Sequence, residues 1–335
     1  MKIAILGAGS IGAYLGGALI ATGGEVVLIG RARMAEKIAS HGLHLSDLRG
    51  RAIKLDPAQI VYAQDPTALA GADLILVTVK SADTAEAAKA VASHAPPSAL
   101  VISFQNGIGN ADTLRSILPG WTILGGMVPF NVVQMDQGRF HRGTEGELML
   151  EASPGIAVWK DQFNAAGLPL MEQTDFVGVQ WGKLLLNLNN PVNALSDLPL
   201  KIELSQRAYR RCLADLIAEA ITVLQAAHIR PAKIGKVGPR LLPALLRLPD
   251  FLFTRIAATM LRIDPEARSS MWEDLQAGRR TEVDYLNGAV LNLAVSIGRD
   301  APCNRRIVEL IRRAEQGGAD ALSGDVLLRE LQASR

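Results

Sequence analysis

The sequence predicts an α/β fold for its first half, built on a doubly wound, mostly parallel sheet, and an all-α second half. Three observations predict it. Short apolar runs alternate with helix-length segments from Lys2 to about residue 120, the rhythm of strands joined by crossover helices. The first run, Ile3-Ala4-Ile5-Leu6, empties directly into Gly7-Ala8-Gly9-Ser10-Ile11-Gly12. After Thr174 the texture changes to long segments with helical apolar spacing.

Taken in order, residues 2–6 read as a strand, followed by a helix to about Thr22, a strand at 25–29 and a helix from Met34. A strand at 74–79 leads into a crossover helix at 83–93, and further strands follow at 99–103 and 120–126. Residues 128–133, 138–142 and 147–150 have the alternation of antiparallel strands. Beyond them, 177–188, 204–227 and 286–297 read as helices. The texture changes between residues 168 and 176, which gives an N-terminal domain over 1–172 and a helical domain over 173–335. The last four residues are expected to fray.

Composition narrows the function classes. With 335 residues, 49% hydrophobic and 20% charged, the chain has material for two globular cores. A net charge of +2 offers no concentrated basic face for nucleic acid, and Arg305-Arg306 and Arg312-Arg313 read as solvated helix faces. Cys212 and Cys303 are the only cysteines, and the five histidines show no H-x-x-x-H spacing, so neither a disulfide framework nor a metal site is expected. The apolar start is not read as a signal peptide, because Gly7, Gly9, Gly12, Gly16 and Gly17 would spoil its helix. Residues 241–261 are cut by Arg247, Asp250 and Arg255, too charged to span a bilayer. The expectation is a cytoplasmic protein without membrane or nucleic-acid partners.

The glycine motif carries the first chemistry. G-x-G-x-x-G between a strand and a helix is the fingerprint of a Rossmann dinucleotide site: Gly7 for the tight turn, Gly9 for approach to the pyrophosphate, Gly12 for close helix packing. The amides of Ser10, Ile11 and Gly12 open the helix toward the phosphates. An acidic residue ordinarily ends the second strand of an NAD site. Here that strand ends in Gly30-Arg31, so a guanidinium suited to a 2′-phosphate stands there, and NADP(H) is the expected cofactor. The plainer reading is a solvated loop arginine. Lys80, after the strand ending Val77-Thr78-Val79, could add a second positive charge or be a surface lysine.

A hydride-transfer enzyme also needs a proton donor for the developing alkoxide. Lys183 and Asn187 lie four residues apart, with Asn190 seven beyond Lys183, on one face of an otherwise apolar helix. A lysine desolvated there would have a depressed pKa and could serve as general acid. Alternatively it snorkels to solvent and the asparagines cap the helix. A second polar cluster, Ser269-Ser270-Met271-Trp272 followed by Thr281-Glu282-Val283-Asp284-Tyr285-Leu286-Asn287-Gly288, has Ser269 and Thr281 as candidate N-caps, Thr281 placing Glu282 in a first helical turn. Composition alone does not choose between capping and catalysis.

Together these residues resemble the ketopantoate reductase (2-dehydropantoate 2-reductase) family. Six motifs occur in its order: the G-x-G-x-x-G, Arg31, Lys80, the Gln105-Asn106-Gly107-Ile108-Gly109 turn, the Trp181-x-Lys183 helix and the Ser269–Gly288 segments. The resemblance implies a Rossmann domain followed by a helical domain of the 6-phosphogluconate dehydrogenase C-terminal type. It implies Lys183 as general acid, Asn106 holding cofactor and substrate at the nicotinamide end, and Arg31 and Lys80 gripping the adenosine phosphate. Ser270 would bind the substrate carboxylate, Asn187 and Asn190 its polar groups, and Glu282 would join the cofactor and the network around Lys183. The implied reaction is hydride transfer from NADPH to the 2-oxo carbon of 2-dehydropantoate, giving pantoate, a precursor of pantothenate and coenzyme A.

The chain departs from that pattern twice. Asn190-Pro191 follows Asn187 one residue early, and residues 230–268 form a long apolar, Pro-rich stretch suited to a roomier pocket, a homodimer face or burial in the chain's own core. The alternatives weighed are a reductase of another 2-oxo acid, a β-hydroxyacid dehydrogenase with its Lys and Asn four apart, and a nucleotide-binding redox sensor without turnover.

Overall fold

The computed structural model describes residues 1–234, 237–256, 266–318 and 320–334. Residues 235–236 and 257–265, within the apolar stretch at 230–268, lie outside the described residues. The chain divides into two units, Met1–Phe176 and Val177–Arg335.

The first unit carries strands β1 (Lys2–Leu6), β2 (Glu25–Ile29), β3 (Leu43–Asp47), β4 (Ala52–Leu55), β5 (Val61–Ala63), β6 (Leu74–Val77), β7 (Leu100–Ser103), β8 (Ile123–Met127), β9 (Val132–Gln134), β10 (Arg139–Arg142), β11 (Leu148–Glu151) and β12 (Leu170–Gln173). Eight form one sheet in the order β12-β11-β8-β7-β6-β1-β2-β5, parallel throughout except at β8 and β11. β1 therefore sits in the middle, with β2 on one side and β6 on the other. Alternate residues face opposite layers: Ile3, Ile5, Leu28, Leu74 and Leu76 pack into one core, and Ala4, Val27, Ile29, Ile75 and Val77 into the other. Burial on both faces explains the continuous apolar runs of the central strands.

A second sheet, β4-β3-β10-β9, is expected only in part: the sequence pattern gives strands at 128–133 and 138–142 but none at 43–55, nor at β5 on the edge of the large sheet. Those strands are short and half-exposed, so their apolar signal is weak. The helix Ser10–Ile20 lies between the sheets. A Cβ on Gly16 would stand 2.3 Å from Leu28 Cδ2 in the large sheet, and one on Gly17 would stand 3.0 Å from Leu45 Cδ1 in the small one. Two adjacent glycines thus let one helix pack closely on both sides. The strand at 147–150 pairs antiparallel with β8, as its pattern suggested, but also parallel with β12, which the sequence did not announce.

The second unit is helical. Its longest helix, Arg207–Ala226, packs against Leu200–Ser205, Leu242–Leu246, Asn287–Ser296, Pro302–Glu315 and Gly324–Gln332. The helix expected over 204–227 is shorter because the chain breaks at Gln206, which is extended. The fully buried Arg210 holds the break: its guanidinium donates to Leu204 O and Ser205 O at 3.1 and 2.9 Å, and to Leu246 O and Leu248 O at 3.2 and 2.7 Å. No helix among the described residues is long and apolar enough to cross a membrane.

Candidate active site

In the first unit the glycine loop leaves the carboxyl end of β1 at the point where strand order reverses, the crevice in which doubly wound sheets bind ligands. Gly7 has φ +108°, a conformation strained for any side chain, and its amide and that of Ala8 both donate to Ile29 O at 2.9 Å. Thr78 Oγ1 donates to Gly7 O at 2.8 Å, tying the loop to the end of β6. A Cβ on Gly12 would stand 2.4 Å from Gly7 O, so glycine is required for helix and loop to meet. At Gly9 a Cβ would meet nothing within 4 Å, and no side chain caps the helix it precedes. The loop is filled by protein at Gly7 and Gly12 and open at Gly9, where the amides of Ser10, Ile11 and Gly12 begin the helix. These residues fit a pyrophosphate.

Two cationic residues flank this loop. Arg31 follows β2 and is the N-cap residue of the helix Ala32–His41, with its carbonyl accepting from Tyr62 Oη at 3.0 Å. Its guanidinium lies 3.2 Å from an Asp83 carboxylate oxygen. Lys80, partly buried, opens the turn Ser81–Asp83 that follows β6.

Asn106 is exposed on the loop after β7. A polar knot missed by the sequence reading fixes its backbone: Asn106 O accepts from Ser81 Oγ at 2.9 Å and Asn110 Nδ2 at 2.7 Å. Gln105 Nε2 donates to Val79 O at 3.1 Å and to Thr84 Oγ1 at 2.7 Å, and Thr84 Oγ1 lies 2.9 Å from Asn110 Oδ1. Gln105 opens the Gln105–Gly109 turn and Asn110 follows it, but nothing in one dimension pairs them with Ser81 and Thr84.

In the second unit Lys183 lies on the helix Phe176–Asn187, one turn before Asn187. The helix is pressed against the following chain: Ala232 N donates to Gly178 O at 2.7 Å, and a Cβ on Gly182 would stand 2.3 Å from Ala232 O. The residue is only partly exposed, and desolvation of its ammonium pulls the pKa from 10.5 to about 8. Asn190 does not continue this helical face. It begins a separate helix, Asn190–Ser196, because Pro191 has no amide to donate to Asn187 O.

Asn190 instead meets the serine cluster. Ser269 caps the helix Ser270–Gln276 by accepting from Trp272 N at 3.2 Å, and its hydroxyl donates to Asn190 O at 3.2 Å. Ser269 N donates to Asn193 Oδ1 at 2.8 Å, leaving Ser270 exposed as the first helical residue. Ser269 therefore has the capping role and Ser270 the free surface. Beneath them Glu203, wholly buried, accepts from Asn193 Nδ2 at 3.0 Å and Asn189 Nδ2 at 3.1 Å. Burial pushes its carboxyl up to about 8, far above the ordinary carboxylate range. No reading of the sequence singled it out.

Thr281 does not begin an α-helix. Its hydroxyl accepts from Val283 N at 3.3 Å, and Glu282 precedes the short turn Val283–Tyr285 before the helix Asn287–Ser296. Glu282 is partly buried on that turn.

A glycine loop at the sheet crevice and a desolvated lysine on a helical unit are the parts of a nucleotide-dependent oxidoreductase, and comparison with known proteins agrees. The family described as ketopantoate reductase PanE/ApbA matches residues 3–155, and its C-terminal counterpart matches 175–315. The chain belongs to the ketopantoate reductase family. A 2-dehydropantoate 2-reductase of Halobacterium salinarum is 28% identical over 95% of this chain and 100% of its own length. A PanE/ApbA family ketopantoate reductase from Ralstonia eutropha superposes with a TM-score of 0.80 at 33% identity, covering 95% of this chain and 99% of its own. D-mandelate dehydrogenase bound to NADH and anilino(oxo)acetate shares the fold with a TM-score of 0.78 at 21% identity, covering 95% and 99%.

Proposed function

We propose that the protein reduces 2-dehydropantoate to pantoate with NADPH. The observation that carries the reading is Lys183, on the Trp-x-Lys helix of the family, with a pKa brought by burial to about 8. At neutral pH such a group is protonated yet close enough to the ambient pH to release its proton, the property a general acid needs. The cofactor, when bound, supplies a hydride to the 2-oxo carbon.

The chain's own residues do the rest. The amides at Ser10, Ile11 and Gly12 bind the pyrophosphate, and Arg31 and Lys80 bind the 2′-phosphate. Asn106, its backbone fixed by Ser81 and Asn110, orients the reacting groups at the nicotinamide end. Ser270 donates to the substrate carboxylate, Asn187 holds its polar groups, and Glu282 joins the network that keeps Lys183 in place. Lys183 Nζ delivers the proton to the new alkoxide oxygen.

The test is NADPH oxidation by the purified protein with 2-dehydropantoate and a panel of other 2-oxo and 3-oxo acids, each repeated with NADH. NADPH-selective turnover of 2-dehydropantoate is expected. Activity confined to another acid would overturn the substrate assignment, and nucleotide binding with no turnover across the panel would overturn the enzymatic one in favour of a sensor.

A further inference from the structure

The sequence places no acidic residue at the end of β2, where an NAD site carries one, yet the fold brings one there from a different strand. β1 lies between β2 and β6, so the residues after β2 and β6 overhang its carboxyl end from both sides. Arg31 comes from the β2 side and Asp83 from the β6 side, and their side chains meet at 3.2 Å. The pair therefore spans the crevice edge beside the glycine loop.

We propose that Asp83 sets the nicotinamide preference by competing with the cofactor's 2′-phosphate for Arg31, an inference that rests on the cofactor reading above. A carboxylate can accept hydrogen bonds from the 2′- and 3′-hydroxyls of NADH, the role usually given to the acid ending β2. It cannot accept from a phosphate, and two anions sharing one guanidinium repel each other. Binding of NADPH then requires Arg31 to leave Asp83, whereas NADH can be accommodated with the pair in place.

The surroundings favour this exchange. The side chains are 81% and 49% exposed, so the pair is open to a ligand and weakly held. The backbone from which Arg31 projects is fixed: Tyr62 Oη donates to its carbonyl at 3.0 Å, and a Cβ on Gly30 would stand 2.5 Å from the same hydroxyl. The guanidinium thus swings from a constant base between Asp83 and the ligand.

The experiment is fluorescence titration of NADPH and NADH, without substrate, into the full chain and its Asp83→Asn and Arg31→Ala variants, with thermal shift as a second readout. Asp83→Asn is expected to tighten NADPH by about threefold to fivefold, the upper range for an exposed charge interaction, and to leave NADH unchanged or weaker. Arg31→Ala is expected to move the preference toward NADH. If Asp83→Asn leaves the NADPH-to-NADH affinity ratio within twofold of the parent while both still bind, this proposal falls and the cofactor reading stands. If the parent binds neither nucleotide, both fall.

Discussion

Replacing Lys183 with methionine should make the protein more stable and nearly inactive. Burial lowers the lysine pKa from 10.5 to about 8, so the unfolded chain holds this proton more tightly than the folded one. Stability from this group is therefore lowest below pH 8, rises between pH 8 and 10.5 and is level above. Each tenfold in proton affinity is worth about 1.4 kcal/mol, so the charged form opposes folding by roughly 3 kcal/mol near neutrality. A methionine of similar length relieves that opposition, raising the melting temperature of the helical unit by roughly 6 to 10 °C at pH 7, with the gain vanishing above pH 10.5. Turnover should fall by about 10² to 10⁴, the usual worth of a positioned general acid, with NADPH affinity unchanged. In the parent enzyme the reductive rate should decline through pH 8 while the oxidative rate climbs, since the reverse reaction needs the neutral amine. Calorimetric melts and pH profiles in both directions test this. A variant that is no more stable than the parent refutes the desolvation argument, and one that keeps turnover within threefold, or a reductive rate flat to pH 10, refutes the general-acid assignment.

Other predictions concern the remaining parts. Gly9→Val should leave the melting temperature within about 2 °C, because its Cβ would meet nothing within 4 Å, while weakening NADPH at least tenfold in a binding titration. Gly12→Ala should instead destabilise by roughly 1 to 3 kcal/mol, since its Cβ would lie 2.4 Å from Gly7 O, and equal effects of the two substitutions would contradict the cradle described. Arg31→Ala should weaken NADPH about 10- to 100-fold and NADH little, and equal losses would remove the 2′-phosphate role. Glu203 holds its proton more tightly folded than unfolded, so stability falls as pH rises from 4.5 to about 8. Urea unfolding should show the parent losing roughly 2 kcal/mol between pH 6 and 8 and Glu203→Gln losing none of it, and parallel pH curves would show the carboxyl to be ionised throughout.

The central sheet was legible because β1, β2, β6 and β7 are buried on both faces and so written as unbroken apolar runs. Strands β3 to β5 carry little apolar signal because they are short and only partly buried, and the pairing of β3 with β10 joins residues almost a hundred positions apart. The glycine loop, Arg31 and Lys183 stand out in the sequence because the chemistry proposed for them depends on residue type at close spacing. Asn190 shares the Lys183 face by sequence spacing alone, and the missing amide of Pro191 starts a new helix there instead. Asp83, Ser81 and Glu203 carry no local signature at all: each matters through a partner supplied by another strand or helix.

The knot beneath Asn106 bears on any attempt to redesign cofactor use. Val79, Ser81 and Thr84 after β6 share hydrogen bonds with Gln105, Asn106 and Asn110 after β7, so the two loops behave as one piece. A transplant of residues 79–84 alone would remove the Ser81 hydroxyl that donates to the Asn106 carbonyl and so loosen that loop. Exchanging nicotinamide preference by grafting therefore calls for both loops to be carried over as a single cassette.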